Sequence, residues 1–284
     1  MNYSSRVPAR RDTARSVHES RLLADSLQPM ATYRLTLAYD GTDFSGWQAQ
    51  PGRRTVQGVV EDAWQQITGE SVRVTATSRT DAGVHALGQV VGVETQTHLS
   101  KDQLLRALNA KLPDDVVLYT VESTREGFHV TLDAVGKRYR YQIHNDRTPP
   151  LLERRYVWHI PQPLDEQAMH CAGQGLVGKH DFASFQSAGS QRESTVRMIT
   201  KIDVSRGKAE RSSKVWIEVD GDGFLYNMVR ILVGTFVEVG LGKRPESWPA
   251  EVLAARDRRQ AGKTAPPQGL LLLHVAYGGE TAKG

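Results

Sequence analysis

The run Phe224-Leu-Tyr-Asn-Met-Val-Arg-Ile-Leu-Val-Gly234 is nearly all apolar, and Arg230 is its one charge. A helix that is apolar all round has no side to offer to water, so other layers must cover it. The chain therefore has to build enough secondary structure to enclose this segment. It must also settle the guanidinium, because an unpaired buried one costs on the order of several kcal/mol. Two solutions are open. The side chain can snorkel to the helix edge, or a carboxylate can face the helix, a pairing that suits a planar guanidinium. Composition does not choose between them or say which carboxylate.

The 284 residues leave room for two domains of ordinary size. From residue 33 to 39 apolar positions alternate, which predicts a half-buried strand ended by the Asp40-Gly41 turn. Val56, Val59, Val60, Ala63, Trp64 and Ile67 fall on one helical face, closed by Gly69. Strands are expected at residues 72–76 and 90–93, and Ser100 with Gln103 forms a capping-box signature before Leu104, Leu105 and Leu108. The second half repeats the style. Strands are expected at 137–144, 198–204, 215–220 and 270–275, and helices near 165–177 and 225–239. Ser247 is the expected cap of a last helix through Ala255, and residues 184–195 read as a long loop. The expected class is α+β: two α/β subdomains with mostly antiparallel sheets flanked by helices. Residues 1–30, with five Arg and three acidic residues and no apolar core segment, read as a disordered extension. Residues 31–126 and 127–280 are the expected N- and C-terminal domains, and Asp81 and Arg230 fall on either side of that boundary.

Composition narrows the function. A single cysteine, Cys171, excludes an intramolecular disulfide and a multi-cysteine metal site. No apolar run approaches the ~20 residues that span a bilayer, so no membrane role is expected, and a cytoplasmic location is the simplest inference. The net charge of +4 permits a nucleic-acid partner without demanding one. There is no H-E-x-x-H, no phosphate-binding glycine loop and no G-x-S-x-G elbow.

Two segments carry chemistry. Ser78-Arg-Thr-Asp-Ala-Gly-Val-His85 joins two expected strands and is longer than a tight turn. Asp81 beside Gly83 sits where a rigid sheet presents functional groups, although turn aspartates also serve only to satisfy backbone groups. In Lys137-Arg-Tyr-Arg-Tyr141, Arg138 and Arg140 share one strand face, and Tyr139 and Tyr141 share the other. That interleaving suits a polyanion with bases to stack on, and it equally describes a core strand whose arginines face water. Lys137, Arg138 and Arg140 are the RNA-contact candidates.

The order of motifs resembles the tRNA pseudouridine synthase A family. The similarity runs from about Tyr33 to Tyr277 and is carried by Tyr39-Asp-Gly41, Gly46-Trp-Gln48, Arg79-Thr-Asp-Ala-Gly-Val-His-Ala86, Lys137–Tyr141, His180-Asp-Phe182, Met228-Val-Arg230 and Gly269-Leu270. The resemblance implies the pseudouridine synthase fold with a cleft between the halves. It implies Asp81 as the catalytic aspartate, Arg230 as its ion-pair partner, Tyr139 stacked on the target uracil, Leu270 packed in the pocket and Arg79 holding the flipped nucleotide. It further implies isomerisation of uridine to pseudouridine at positions 38, 39 and 40 of the tRNA anticodon stem-loop, no cofactor or metal, and a homodimer spanned by tRNA. Arg230 is expected to hold the Asp81 pKa down. The chain departs from the family pattern at Ser78, where Gly is usual, and at Val130-Thr131, where a small residue and Arg are usual. An RNA-binding module without turnover and a nucleosidase that releases uracil are the competing classes.

Overall fold

The computed structural model describes residues 30–189, 194–207 and 212–278. Of the expected extension over residues 1–30, residues 1–29 lie outside them. Ten strands form one sheet with the path β4-β1-β3-β10-β5-β9-β8-β7. These are β1 (Ala31–Tyr39), β3 (His85–Thr95), β4 (Val116–Ser123), β5 (Ala134–His144), β7 (Gly178–Asp181), β8 (Val196–Arg206), β9 (Lys214–Gly221) and β10 (Leu270–Tyr277), with β2 (Thr75–Ala76) on β3 and β6 (Trp158–His159) on β5. Pairing is antiparallel except for β3–β10 and β5–β6. The class is α+β. The two expected sheets are joined, however. The last strand, β10, enters between β3 and β5, parallel to the first and antiparallel to the second. Its sequence explains this position. Leu270, Leu271 and Leu272 are all buried, so both faces are covered, as a central strand requires.

Five α-helices among the described residues pack against the sheet and one another: α1 (Val56–Thr68), α2 (Lys101–Asn109), α3 (Glu166–Gln174), α4 (Met228–Gly240) and α5 (Trp248–Ala255). The caps follow the sequence at most ends. Thr55 Oγ1 accepts from Gly58 N, Gly69 adopts φ 77° after α1, and Ser100 and Gln103 form the capping box. Ser247 is a correction: its hydroxyl donates to Glu251 at 2.8 Å and caps no backbone amide. The strand expected at 72–76 shrinks to Thr75–Ala76 because α1 takes its backbone groups. Val74 N donates to Glu61 Oε1 at 3.0 Å, and Gln57 Nε2 donates to Val74 O at 3.3 Å. The edge strands β4 and β7 were not read from the sequence, and β7, Gly-Lys-His-Asp, has no apolar residue to signal it.

Helix α4 is buried along almost its whole length, as its composition demands. It starts at Met228 rather than at the expected residue 225, because Asn227 takes the left-handed conformation at φ 61° and interrupts the turn. Its packing brings the second half to the loop between β2 and β3.

Candidate active site

The loop from Thr77 to Val84 leaves β2, turns over the end of the sheet and re-enters it at β3. Several contacts hold it. Trp47 N donates to Thr80 O at 3.0 Å, and the approach is so close that a Cβ at Gly46 would sit 2.8 Å from Thr80 O. Thr80 Oγ1 shares a 2.7 Å hydrogen bond with the buried Tyr39 hydroxyl. Gln89, fully buried on β3, donates through Nε2 to Ser78 O at 2.6 Å and to the Tyr39 hydroxyl at 3.3 Å. Gly83, at φ 76°, lets the chain turn beneath Asp81. These contacts fix the loop up to the residue before Asp81, and Val84 N donates to Asp81 O at 3.1 Å after it.

That carboxylate meets Arg230. Arg230 Nη1 donates to Asp81 Oδ2 at 3.2 Å, and the two side chains are 15% and 27% exposed, respectively. The guanidinium reaches the carboxylate rather than the helix edge. Two further bonds hold the same head: Nε donates to Ala265 O at 2.8 Å and Nη1 to Asn227 Oδ1 at 2.7 Å. The direction of the Asp81 pKa is a correction. Burial raises it above the ordinary carboxylate range, and Arg230 offsets only part of that rise.

Asp81, Arg79, Lys137, Tyr139 and Leu270 line one cavity of about 1040 Å³. Tyr139 lies on the face of β5 turned toward it. Its hydroxyl shares a 2.8 Å hydrogen bond with Ser78 Oγ, and Phe224 meets its ring edge-on at 5.2 Å. Burial pushes the Tyr139 phenol up to about 12, so it stays protonated at neutral pH. The Ser78 that departs from the family pattern is therefore the group that orients this hydroxyl. Leu270 opens β10 opposite Tyr141, whose own hydroxyl donates to Pro266 O at 2.7 Å. Thr131, the other departure, donates to Ala76 O at 3.2 Å and lines the same cavity. Lys137 Nζ donates to Thr77 O at 2.8 Å. Arg79 is exposed at the wall and makes no hydrogen bond or ion pair among the described residues.

Arg138 and Arg140 are not brought to the cavity. Each faces its cross-strand neighbour on β9: Arg138 Nε donates to Asp220 at 2.7 Å, and Arg140 pairs with Glu218 through Nε at 2.7 Å while lying over Trp216. The roles of Gln89 and Asn227 are not legible in the sequence. Nothing local distinguishes a glutamine in a buried strand or an asparagine before an apolar helix from ordinary members of those elements.

A loop carboxylate held against a buried guanidinium, with an aromatic ring and an apolar side chain on the same cavity, makes a site on an α+β scaffold suited to an enzyme that acts on a ring-bearing substrate. Residues 36–133 and 172–278 match the family model described as tRNA pseudouridine synthase, and the chain belongs to that family. It is 47% identical over 248 residues to the tRNA pseudouridine synthase A of Brevibacillus brevis, covering 87% of this chain and 100% of that one. It is also 47% identical over 245 residues to the enzyme of the same name from a Geobacillus species, covering 86% and 97%. The protein is a pseudouridine synthase, an isomerase that modifies tRNA. No helix among the described residues is long and apolar enough to cross a membrane.

Proposed function

We propose that this enzyme isomerises uridine at positions 38, 39 and 40 of the tRNA anticodon stem-loop, with Asp81 as its catalytic carboxylate and without a cofactor. The observation that carries this reading is that Asp81, paired with Arg230 at 3.2 Å, lines a cavity that also presents the Tyr139 ring and Leu270. The reaction breaks the N1–C1′ bond, turns the freed uracil and joins C5 to C1′. The C5 proton is lost and N1 gains one, so the exchange is redox-neutral and balances within the nucleotide. An ionised carboxylate serves it either as a nucleophile at C1′ or as a base toward a sugar proton, and Arg230 favours the ionised form. Tyr139 supplies a face for the uracil, and its protonated hydroxyl supplies a relay for the C5 proton. Extruding the base costs about a few kcal/mol, which phosphate contacts from Arg79 and Lys137 offset.

In this reading residues 31–126 provide the aspartate loop, residues 127–280 provide Tyr139, Arg230 and Leu270, and the enzyme acts in the cytoplasm as a homodimer with tRNA laid across both subunits. The test is incubation of the full-length protein with unmodified tRNA, followed by chemical mapping of pseudouridine. New pseudouridine at 38, 39 and 40, lost in Asp81→Asn, is the expected result. Modification confined to another arm overturns the site assignment, and free uracil in place of pseudouridine identifies a nucleosidase.

A further inference from the structure

We propose that Asn227 is a positioning residue that sets which proton of the Arg230 guanidinium faces Asp81. The proposal rests on the reading of Asp81 as the catalytic carboxylate. Asn227 occupies the N-cap position of α4, where an asparagine side chain ordinarily accepts from a backbone amide of the first turn. Here it makes no such bond, and its backbone is left-handed at φ 61°, ψ 7°. The position thus forgoes a cap and holds a sparsely populated conformation, a combination found where a side chain is needed elsewhere.

Its hydrogen bonds identify that need. Oδ1 accepts from Arg230 Nη1 at 2.7 Å, and Nδ2 donates to Ser187 Oγ at 3.0 Å. Ser187 N donates in turn to Tyr226 O at 3.1 Å, which fixes the serine against the same turn. The amide orientation is forced, because a guanidinium only donates and so must face the oxygen. Nη1 carries two protons. Asn227 engages one, and the other is left to reach Asp81 Oδ2 at 3.2 Å. Ala265 O holds Nε at 2.8 Å from the far side. Without Asn227 the guanidinium keeps its charge but loses the restraint on its rotation about that anchor.

The consequence is read in the acid limb of the rate profile. The charged and titratable groups around Asp81 are Arg230 on α4, Tyr139 on β5, and Arg79 and Lys137 along the cavity wall. Asn227→Gly accepts the left-handed backbone without strain and deletes only the side chain. It is expected to lower kcat roughly tenfold or more and to shift the acid limb upward, with tRNA affinity within about twofold of the parent. Asn227→Asp restores an acceptor oxygen but adds a second carboxylate beside Arg230. It is expected to recover kcat at high pH while moving the acid limb further up, because a like charge raises the Asp81 pKa. A role confined to folding would lower the melting temperature and leave both quantities unchanged. The measurement is kcat and KM against pH for both variants of the full chain, with Asp81→Asn alongside. Parental kcat and acid limb in either folded Asn227 variant overturn the inference. Activity in Asp81→Asn overturns instead the reading on which it rests.

Discussion

Arg230 Nη1 lies 3.2 Å from Asp81 Oδ2, across 149 residues of sequence. The contact joins the loop before β3 to the first turn of α4, so it is both an electrostatic pair and a brace between the two halves of the chain. Its energetics follow from burial. Removing one partner of a buried pair costs more than the pair itself contributes, because the survivor is left desolvated and alone. Arg230→Met is therefore expected to destabilise the protein by about 1–3 kcal/mol, below the full-burial figure because Asp81 is partly exposed. It is also expected to abolish turnover. Asp81→Asn in the Arg230→Met background is expected to restore much of the lost stability and none of the activity. Denaturant melts of the two single variants and the double variant measure the coupling, and strictly additive losses would show that the pair contributes nothing to the fold.

The Asp81 pKa is raised above the ordinary value of 3.8 by burial, and the Arg230 charge does not fully offset the rise. Two signs follow. With Asp81 acting as the catalytic carboxylate, as proposed, activity requires its ionised form, and kcat/KM is expected to fall, as pH drops, through an apparent pKa higher than that of a free carboxyl. Stability runs the other way. The folded protein binds this proton more tightly than the unfolded chain does, so the contribution from Asp81 is present below 3.8 and is lost as pH rises through the folded value. A pH–rate profile checks the first expectation. Difference melts of the parent and Asp81→Asn across the acid range check the second, and a parent that gains stability relative to the variant as pH rises through that window would reverse the sign.

Tyr139 offers both a ring and a hydroxyl, and the two are separable. Tyr139→Phe keeps the ring against Phe224 and leaves Ser78 Oγ without its 2.8 Å partner. If the hydroxyl relays the C5 proton, kcat is expected to fall roughly 10²-fold or more while KM changes little. Tyr139→Leu, which removes the stacking face as well, is expected to raise KM too. Steady-state kinetics on one tRNA substrate distinguish these outcomes, and an unaltered kcat in the Phe variant would confine the role of Tyr139 to stacking.

Much of the site was legible because its members are chemically out of place. A lone charge in an apolar helix calls for a partner, so Arg230 could be read as needing a carboxylate before any coordinates. The choice of Asp81 came from the family motif and not from spacing, since nothing local links residues so far apart. Apolar periodicity gives β1, β5, α1 and α2, and the nearly unbroken apolar run gives α4. They could not give β7, which has no apolar residue, or the joining of both halves through β10, because sheet order is a property of long-range pairing. The Asp81 pKa direction differs from the sequence expectation for a related reason: the charge beside the carboxylate is legible in sequence, but the extent of its burial is not.

The basic residues of β5 and of the aspartate loop divide sharply by environment, and this governs the last prediction. Arg138 and Arg140 face Asp220 and Glu218 across the β5–β9 ladder, on the strand face opposite Tyr139. A guanidinium already paired with a carboxylate releases few counterions when a phosphate approaches. Arg79 lies exposed at the wall of the cavity. Neutralising a residue that meets a phosphate lowers the slope of log K against log salt by about 0.7–0.9. Arg79→Ala is therefore expected to weaken tRNA binding and to flatten its salt dependence by about one contact. Arg138→Ala and Arg140→Ala are expected to leave the slope unchanged and to cost only about 0–1 kcal/mol of stability, as for partly exposed pairs. Binding titrations between about 50 and 200 mM salt decide the matter. A slope that falls for Arg138→Ala and not for Arg79→Ala would move the RNA path from the cavity mouth to the opposite face of the sheet.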